Sequence, residues 1–157
     1  MFPGQQMQSF RGQHDQTIDS KGRIILPAKF REVLISQYDC NLVITKHKDI
    51  CLMAYPVVEW LKKENELKQL PTGSIEVRKL KRFYMASASE CAMDRQGRIV
   101  IPPSLKEFAH FEKHIAITGA IDHFEIWDRD RFKVFTDPEQ EMLESEEIQS
   151  IEDRLGF

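Results

Sequence analysis

Asp19-Ser20-Lys21-Gly22-Arg23-Ile24-Ile25-Leu26-Pro27 returns 75 positions later as Asp94-Arg95-Gln96-Gly97-Arg98-Ile99-Val100-Ile101-Pro102. Five of the nine positions are identical, and Ile25/Val100 and Leu26/Ile101 are conservative exchanges. Asp in first place and Gly in fourth suit a type I turn closed by a residue of positive φ, which yields a hairpin with a Gly bulge. The Arg-Ile-Ile/Val-Leu/Ile that follows is rich in β-branched residues and predicts a mostly buried strand. Pro27 and Pro102 end that strand, having no N–H for the ladder, and preset φ for a first helical turn.

Outward from each copy the order of elements repeats. A short helix is predicted over Ala28–Ile35 or Pro103–His110, then strands over Leu42–Thr45 or Ile115–Thr118, and over Ile50–Tyr55 or His123–Trp127. Two copies indicate a duplication, since a solenoid needs three or more repeats. Each unit of about 45 residues is too small to supply its own core, so the halves are expected to fold together or with other subunits. Between them Val57–Leu70 and Ser74–Ala86 read as two helices broken at Pro71-Thr72-Gly73, with Val57, Leu61, Leu67, Leu70, Val77, Leu80 and Tyr84 at helical spacing. Asp128–Phe135 reads as another short helix, and Pro138–Leu155 as an acid-rich amphipathic segment, helical or partly disordered. The fold class is α+β, mainly β: one module over residues 11–59, a helical linker over 60–87, a second module over 88–131 and an acidic tail over 132–157.

The chain has 157 residues with a net charge of −3, an unpromising sum for a nucleic-acid binder. The deficit is local, because residues 137–157 hold eight acids and one Arg, and the rest carries 21 basic against 17 acidic side chains. An acidic tail thus hides a mildly basic body. No run approaches the roughly 20 apolar residues of a membrane span, and the start lacks a secretory pattern, so a cytoplasmic protein without membrane contact is expected. The first nine residues are uncharged, and a natural start at Met1 or at Met7 both remain open. Cys40, Cys51 and Cys91 are widely spaced, without a Cys-x-x-Cys pair, and are expected to be reduced, mostly buried and metal-free.

Phe10-Arg11-Gly12-Gln13-His14, the nonapeptide followed by Phe30-Arg31, Tyr55-Pro56 through Trp60, Ala88-Ser89-Glu90 before Asp94, and Phe124-Glu125-Ile126-Trp127-Asp128 together resemble the MraZ family of bacterial transcription regulators. The resemblance runs from Phe10 to about Phe135. One Asp-x-x-Gly-Arg is a weak signal, but two copies at this separation with the flanking segments are specific. The resemblance implies tandem AbrB-like modules of the double-psi or swapped-hairpin type. It also implies a repressor that binds short direct repeats in double-stranded DNA upstream of its own operon of cell-division and cell-wall genes. A ring-shaped homo-oligomer associated with the nucleoid is the further implication.

The candidate DNA contacts are Arg23 and Arg98, because a guanidinium makes two hydrogen bonds to guanine in the major groove. Lys21, Arg11, Lys29 and Arg31 are candidate phosphate contacts, and Asp19, Gly22, Asp94 and Gly97 shape or orient the turns. Position 96 is Gln where the first copy has Lys21, which predicts one charge fewer on the second hairpin. Asp and Arg four apart across a tight turn also pair with each other without any partner, and an Asp that orients an Arg reconciles both readings. Arg78-Lys79-Leu80-Lys81-Arg82 is the densest basic run, read either as a solvated helix face or as a nucleic-acid surface. His110, His114 and His123 lack a zinc pattern, Trp60, Phe83, Tyr84, Phe124 and Trp127 read as packing aromatics, and no catalytic motif, cofactor or metal is expected. A non-catalytic interaction scaffold and an antitoxin-like module whose tail wraps a toxin are the alternative functions.

Overall fold

A computed structural model describes residues 8–137 and 143–157; residues 1–7, with the alternative start at Met7, and the first part of the 138–155 segment lie outside the described residues. In the first copy β1 (Gln13–Thr17) and β2 (Arg23–Ile25) flank the turn, followed by α1 (Ala28–Gln37), β3 (Asn41–His47) and β4 (Cys51–Pro56). The linker is α2 (Val57–Gln69) and α3 (Ile75–Ser87). The second copy follows as β5 (Ser89–Ala92), β6 (Arg98–Val100), α4 (Pro103–Phe108), β7 (His114–Gly119) and β8 (Phe124–Asp128). Then come α5 (Arg129–Thr136) and, in the tail, α6 (Glu146–Leu155). Up to Thr136 the expected strands and helices are present within two or three residues, α1 running two residues further and α4 stopping two residues earlier, while in the 138–155 segment the described helix spans Glu146–Leu155.

The strands are exchanged between the copies. One six-stranded antiparallel sheet has the order β1-β7-β8-β4-β3-β5, and a two-stranded ribbon pairs β2 with β6. Swapping the copies maps this order onto its own reverse, with the approximate twofold axis between β8 and β4. The first copy's β1 lies against β7 of the second, from Gln13 opposite Thr118 to Thr17 opposite His114. The second copy's β5 lies against β3 of the first, from Asn41 opposite Ala92 to Ile44 opposite Ser89. The boundaries 11–59 and 88–131 therefore mark sequence repeats whose strands interleave in one sheet. This is the physical form of the expectation that neither half buries enough surface alone.

The shared core contains Phe10, Ile24, Leu26, Phe30, Leu34, Ile44, Ile99, Ile101, Leu105, Ile117, Phe124 and Ile126 from both copies. Its aromatic centre is a cluster in which Phe10, Phe30 and Phe124 approach one another at 5.2–5.3 Å between ring centroids. Trp60 is buried with Val43, Met53 and Tyr55, and Trp127 with Cys51 and Ala116, so the aromatics pack as the sequence indicated. The linker departs from expectation. Leu61 and Leu70 are 53% and 38% exposed, and α3 buries no residue. The physical reason is that α2 docks on the sheet through Trp60 and Val57, and α3 through the partly buried Tyr84, leaving Leu61 and Leu70 outward and Leu67, Val77 and Leu80 half-buried.

Gly22 and Gly97 adopt φ of +80° and +78°, as the turn chemistry requires. A Cβ on Gly22 would meet the Ile101 carbonyl oxygen at 2.6 Å, whereas one on Gly97 would meet the Arg31 side chain, which can move aside. Gly22→Ala is expected to destabilise the fold by about 1–3 kcal/mol and Gly97→Ala by less. Gly73→Ala, with no atom within 4 Å of the added Cβ, serves as the control. Urea unfolding midpoints in the order Gly73→Ala, Gly97→Ala, Gly22→Ala, from most to least stable, are the expected result; equal midpoints would contradict the crossing of turn and strand.

Candidate nucleic-acid interface

Each turn is built around its aspartate. Asp19 Oδ1 accepts hydrogen bonds from the Lys21 and Arg23 backbone N–H groups at 2.9 Å each, and Oδ2 accepts one from Arg23 Nε at 2.6 Å. Asp94 repeats this with the Gln96 and Arg98 N–H groups at 2.9 Å and Arg98 Nε at 3.0 Å. The backbone closes both turns identically, Gly22 N–H to Asp19 O and Gly97 N–H to Asp94 O at 3.0 Å. The Arg23 backbone N–H, and after it the guanidinium, holds the Asp19 carboxyl below its ordinary value of 3.8. At Asp94 the Arg98 backbone N–H is again the largest cause, with the side chain contributing less.

The aspartates thus fix the arginines without consuming them. Each uses Nε on its aspartate, and among the described residues neither spends a terminal Nη group on a hydrogen bond. The Arg23 and Arg98 side chains remain 37% and 31% exposed. They stand on the β2–β6 ribbon, where Arg23 faces Val100, Ile24 faces Ile99 and Ile25 faces Arg98. Ile24 and Ile99 are wholly buried beneath, so strand alternation places Arg23, Ile25, Arg98 and Val100 on the outer face. The two arginines are diagonal neighbours, roughly 7–8 Å apart along the backbone.

The exchange also pairs each helix with the other copy's turn. Leu26 N–H donates to Gly97 O at 2.9 Å and Ile101 N–H to Gly22 O at 2.8 Å, which brings the start of α1 beside the second turn and the start of α4 beside the first. Arg31 packs over Gly97, in a cleft of about 500 Å³ lined also by Asp94, Arg95 and Gln96. Its counterpart, Lys106, lines a cleft of about 510 Å³ with Ser20, Lys21 and Gly22. Lys29 is exposed in the first turn of α1. Arg11 does not join the set: it precedes β1 at the end away from the turn, about 17 Å of strand distant, with Nε on Ser9 Oγ at 3.2 Å.

Two basic residues escaped the sequence reading. Arg95 occupies the second turn where the first has Ser20, so the charge missing at Gln96 reappears one position earlier and the two turns are equally basic. Lys106 is visible only when Arg31 is projected through the 75-residue offset and the helices are known to cross over. The basic run on α3 resolves toward structure: Arg78 Nη1 donates to the Thr72 and Gly73 carbonyls at 2.9 and 3.2 Å, and Lys81 Nζ to the Leu70 carbonyl at 3.2 Å. These contacts close the loop between α2 and α3. His123 stacks on Tyr55 with Nδ1 at 2.7 Å from Asp122, which gives it a packing role.

A duplicated swapped-hairpin fold carrying a basic two-stranded ribbon defines the class of the protein. A family profile described as "MraZ protein, putative antitoxin-like" matches residues 9–83 and again 84–154. The transcriptional regulator MraZ of Limosilactobacillus fermentum is 41% identical over 128 residues, 82% of this chain and 87% of that protein. The one of Moorella thermoacetica is 41% identical over 126 residues, 80% and 85% of the two chains. The one of Halothermothrix orenii is 40% identical over 148 residues, 94% and 99%. The chain belongs to the MraZ family, as the motifs around the two nonapeptides indicated.

Because both aspartates ionise below 3.8 in the folded protein, their contribution to stability is complete above about pH 4 and is lost as pH falls through the lowered values. Asn in their place keeps the acceptor for the backbone N–H groups but loses the charge on Arg. The Asp19→Asn/Asp94→Asn variant is expected to unfold at lower urea than wild type at pH 7, with the gap closing below pH 4. A gap independent of pH would show that the ionised pairs do not hold the turns.

Proposed function

We propose that the chain is a sequence-specific, non-catalytic DNA-binding transcriptional regulator, a repressor of its own operon of cell-division and cell-wall genes. The observation that carries this reading is the β2–β6 ribbon with Arg23 and Arg98 oriented by Asp19 and Asp94 on its outer face. A two-stranded ribbon fits the roughly 12 Å major groove. The diagonal spacing of the arginines is close to two base steps of about 3.4 Å, so both reach guanines of one short element. Ile25 and Val100, 50% and 54% exposed beside them, offer methyl groups to thymine. Lys21, Lys29, Arg31, Arg95 and Lys106 take the flanking phosphates.

One ribbon covers a short element and binds it weakly. Spaced direct repeats and a ring of copies raise affinity by effective concentration, and the exposed Val58, Leu61, Leu70, Ile75 and Met85 of the linker supply apolar surface for self-association. A nucleoid-associated protein in the cytoplasm is the corresponding location, and among the described residues no helix is long and apolar enough to cross a membrane.

The test is fluorescence anisotropy on DNA from upstream of the protein's own gene, against scrambled DNA, across a salt series. Wild type is expected to prefer the upstream DNA, with affinity falling steeply as salt displaces phosphate contacts. Losing each guanidinium costs about 1–3 kcal/mol, so Arg23→Ala/Arg98→Ala loses about thirtyfold or more. The Arg23→Lys/Arg98→Lys variant keeps the charges and the salt slope but loses preference for the upstream DNA, since lysine cannot make the forked contact. No preference in wild type moves the reading to an interaction scaffold.

A further inference from the structure

Where β3, β4 and β8 lie side by side, three side chains of different chemistry converge. His47 ends β3, Cys51 opens β4 directly across from it, and Glu125 comes from β8, the neighbour of β4. One donor atom from each lies within 4.8 Å of the other two. Cys51 is fully buried and His47 and Glu125 half-buried, which limits competition from solvent. Both partly exposed donors are held by neighbours. Trp127 Nε1 donates to Glu125 Oε1 at 3.1 Å, leaving Oε2 available, and the Asp49 backbone N–H donates to His47 Nδ1 at 3.0 Å, so Nε2 is the nitrogen left for an ion.

We propose that His47, Cys51 and Glu125 form a binding site for a zinc-class divalent transition metal, tying the β3–β4 turn of the first copy to β8 of the second. The donor set of one thiolate, one imidazole and one carboxylate suits a borderline ion of this class, and excludes Mg2+ and Ca2+, which take oxygen cages. Its two negative charges match a 2+ ion, and on binding the Cys51 thiol gives its proton to solvent while sulfur bonds the metal. A metal at His47 Nε2 moves the imidazole proton to Nδ1, which then gives up the Asp49 N–H and takes the Asp49 carboxylate, 3.4 Å away, as its acceptor. The turn that delivers these groups holds Ile50 at φ +62°, a conformation a β-branched residue rarely adopts.

The cluster is not a product of the duplication. At the corresponding positions the second copy has Ala120 and His123, and the counterpart of Glu125 is Met53. Cysteine spacing along the chain could not have revealed it, because Glu125 lies 74 residues beyond Cys51. The expectation of no metal ligands considered only local patterns and the three later histidines.

Co2+ titration of the full, reduced chain tests the site. The expected result is one Co2+ per chain, with a near-ultraviolet thiolate-to-cobalt band and visible bands of tetrahedral intensity, displaced by Zn2+. Zn2+ alone is expected to raise the unfolding temperature of wild type. Cys51→Ala removes the band, Cys40→Ser leaves it unchanged, and His47→Gln and Glu125→Gln, at half-buried positions, weaken binding by about tenfold or more. If Cys51→Ala fails to fold, the latter two variants decide. Absence of the band in wild type, its survival in a folded Cys51→Ala, or unchanged affinity in both His47→Gln and Glu125→Gln overturns the proposal.

Discussion

Gly22 and Gly97 each give a carbonyl oxygen to the copy they do not belong to, at 2.8 and 2.9 Å, from turns that need positive φ. These two hydrogen bonds flank the three residue pairs of the β2–β6 ribbon and join its ends to the opposite helices. Two strands of three residues are marginal in water by themselves. Here the ribbon is pinned by Ile24 and Ile99 beneath and by the crossed turns at either end. Neither turn has its partner until the other copy is in place, so the duplication is a requirement of the fold. The exchange of β1 and β5 follows from the same crossing, since each turn must carry its own first strand to the other side of the axis.

That anchoring frees the outer face of the ribbon from structural duty. The Asp19–Arg23 and Asp94–Arg98 pairs are more than a third exposed on at least one side, and such pairs add little to stability by Coulomb attraction alone. Their effect is orientation. With Nε fixed, each guanidinium loses less freedom when it engages a partner, and lost side-chain freedom is a main cost of association. The same aspartates bring negative charge near any approaching phosphate backbone. The turn lysine or arginine on each side, Lys21 and Arg95, compensates this locally, which explains why the second turn regains at position 95 the charge it lacks at 96.

What could be read beforehand was local. The Asp, Gly and Pro of the nonapeptide fix the φ values and the hydrogen-bonding capacity of their own positions, and the turns, strands and helices came out accordingly. Strand exchange came only with the family resemblance, because by their own patterns β1 and β5 would satisfy their ladders in either copy, and pairing is decided by which way the chain leaves Gly22 and Gly97. Leu61 and Leu70 have helical spacing, yet spacing says only that residues share a face, not that anything covers it. The arginines were legible from the turn motif. Lys106 was not, because its neighbours at the first turn come from the other half of the chain.

The ribbon lies on the approximate twofold axis, so one of its two turns leaves each end of the sheet. The second turn follows Ala92, opposite Asn41 and roughly 20 Å of strand from His47, whereas the first follows Thr17, opposite His114 at the same end of the sheet as His47. An ion at His47, Cys51 and Glu125 would bridge β3, β4 and β8. It would act on the β8–β4 pairing, which runs through the approximate twofold axis and joins the halves from Leu52 opposite Ile126 to Ala54 opposite Phe124. Both arginines owe their relative position to those halves staying in register. A bond across that seam thus bears on recognition by keeping the diagonal spacing of Arg23 and Arg98 fixed, a mechanical link through the sheet.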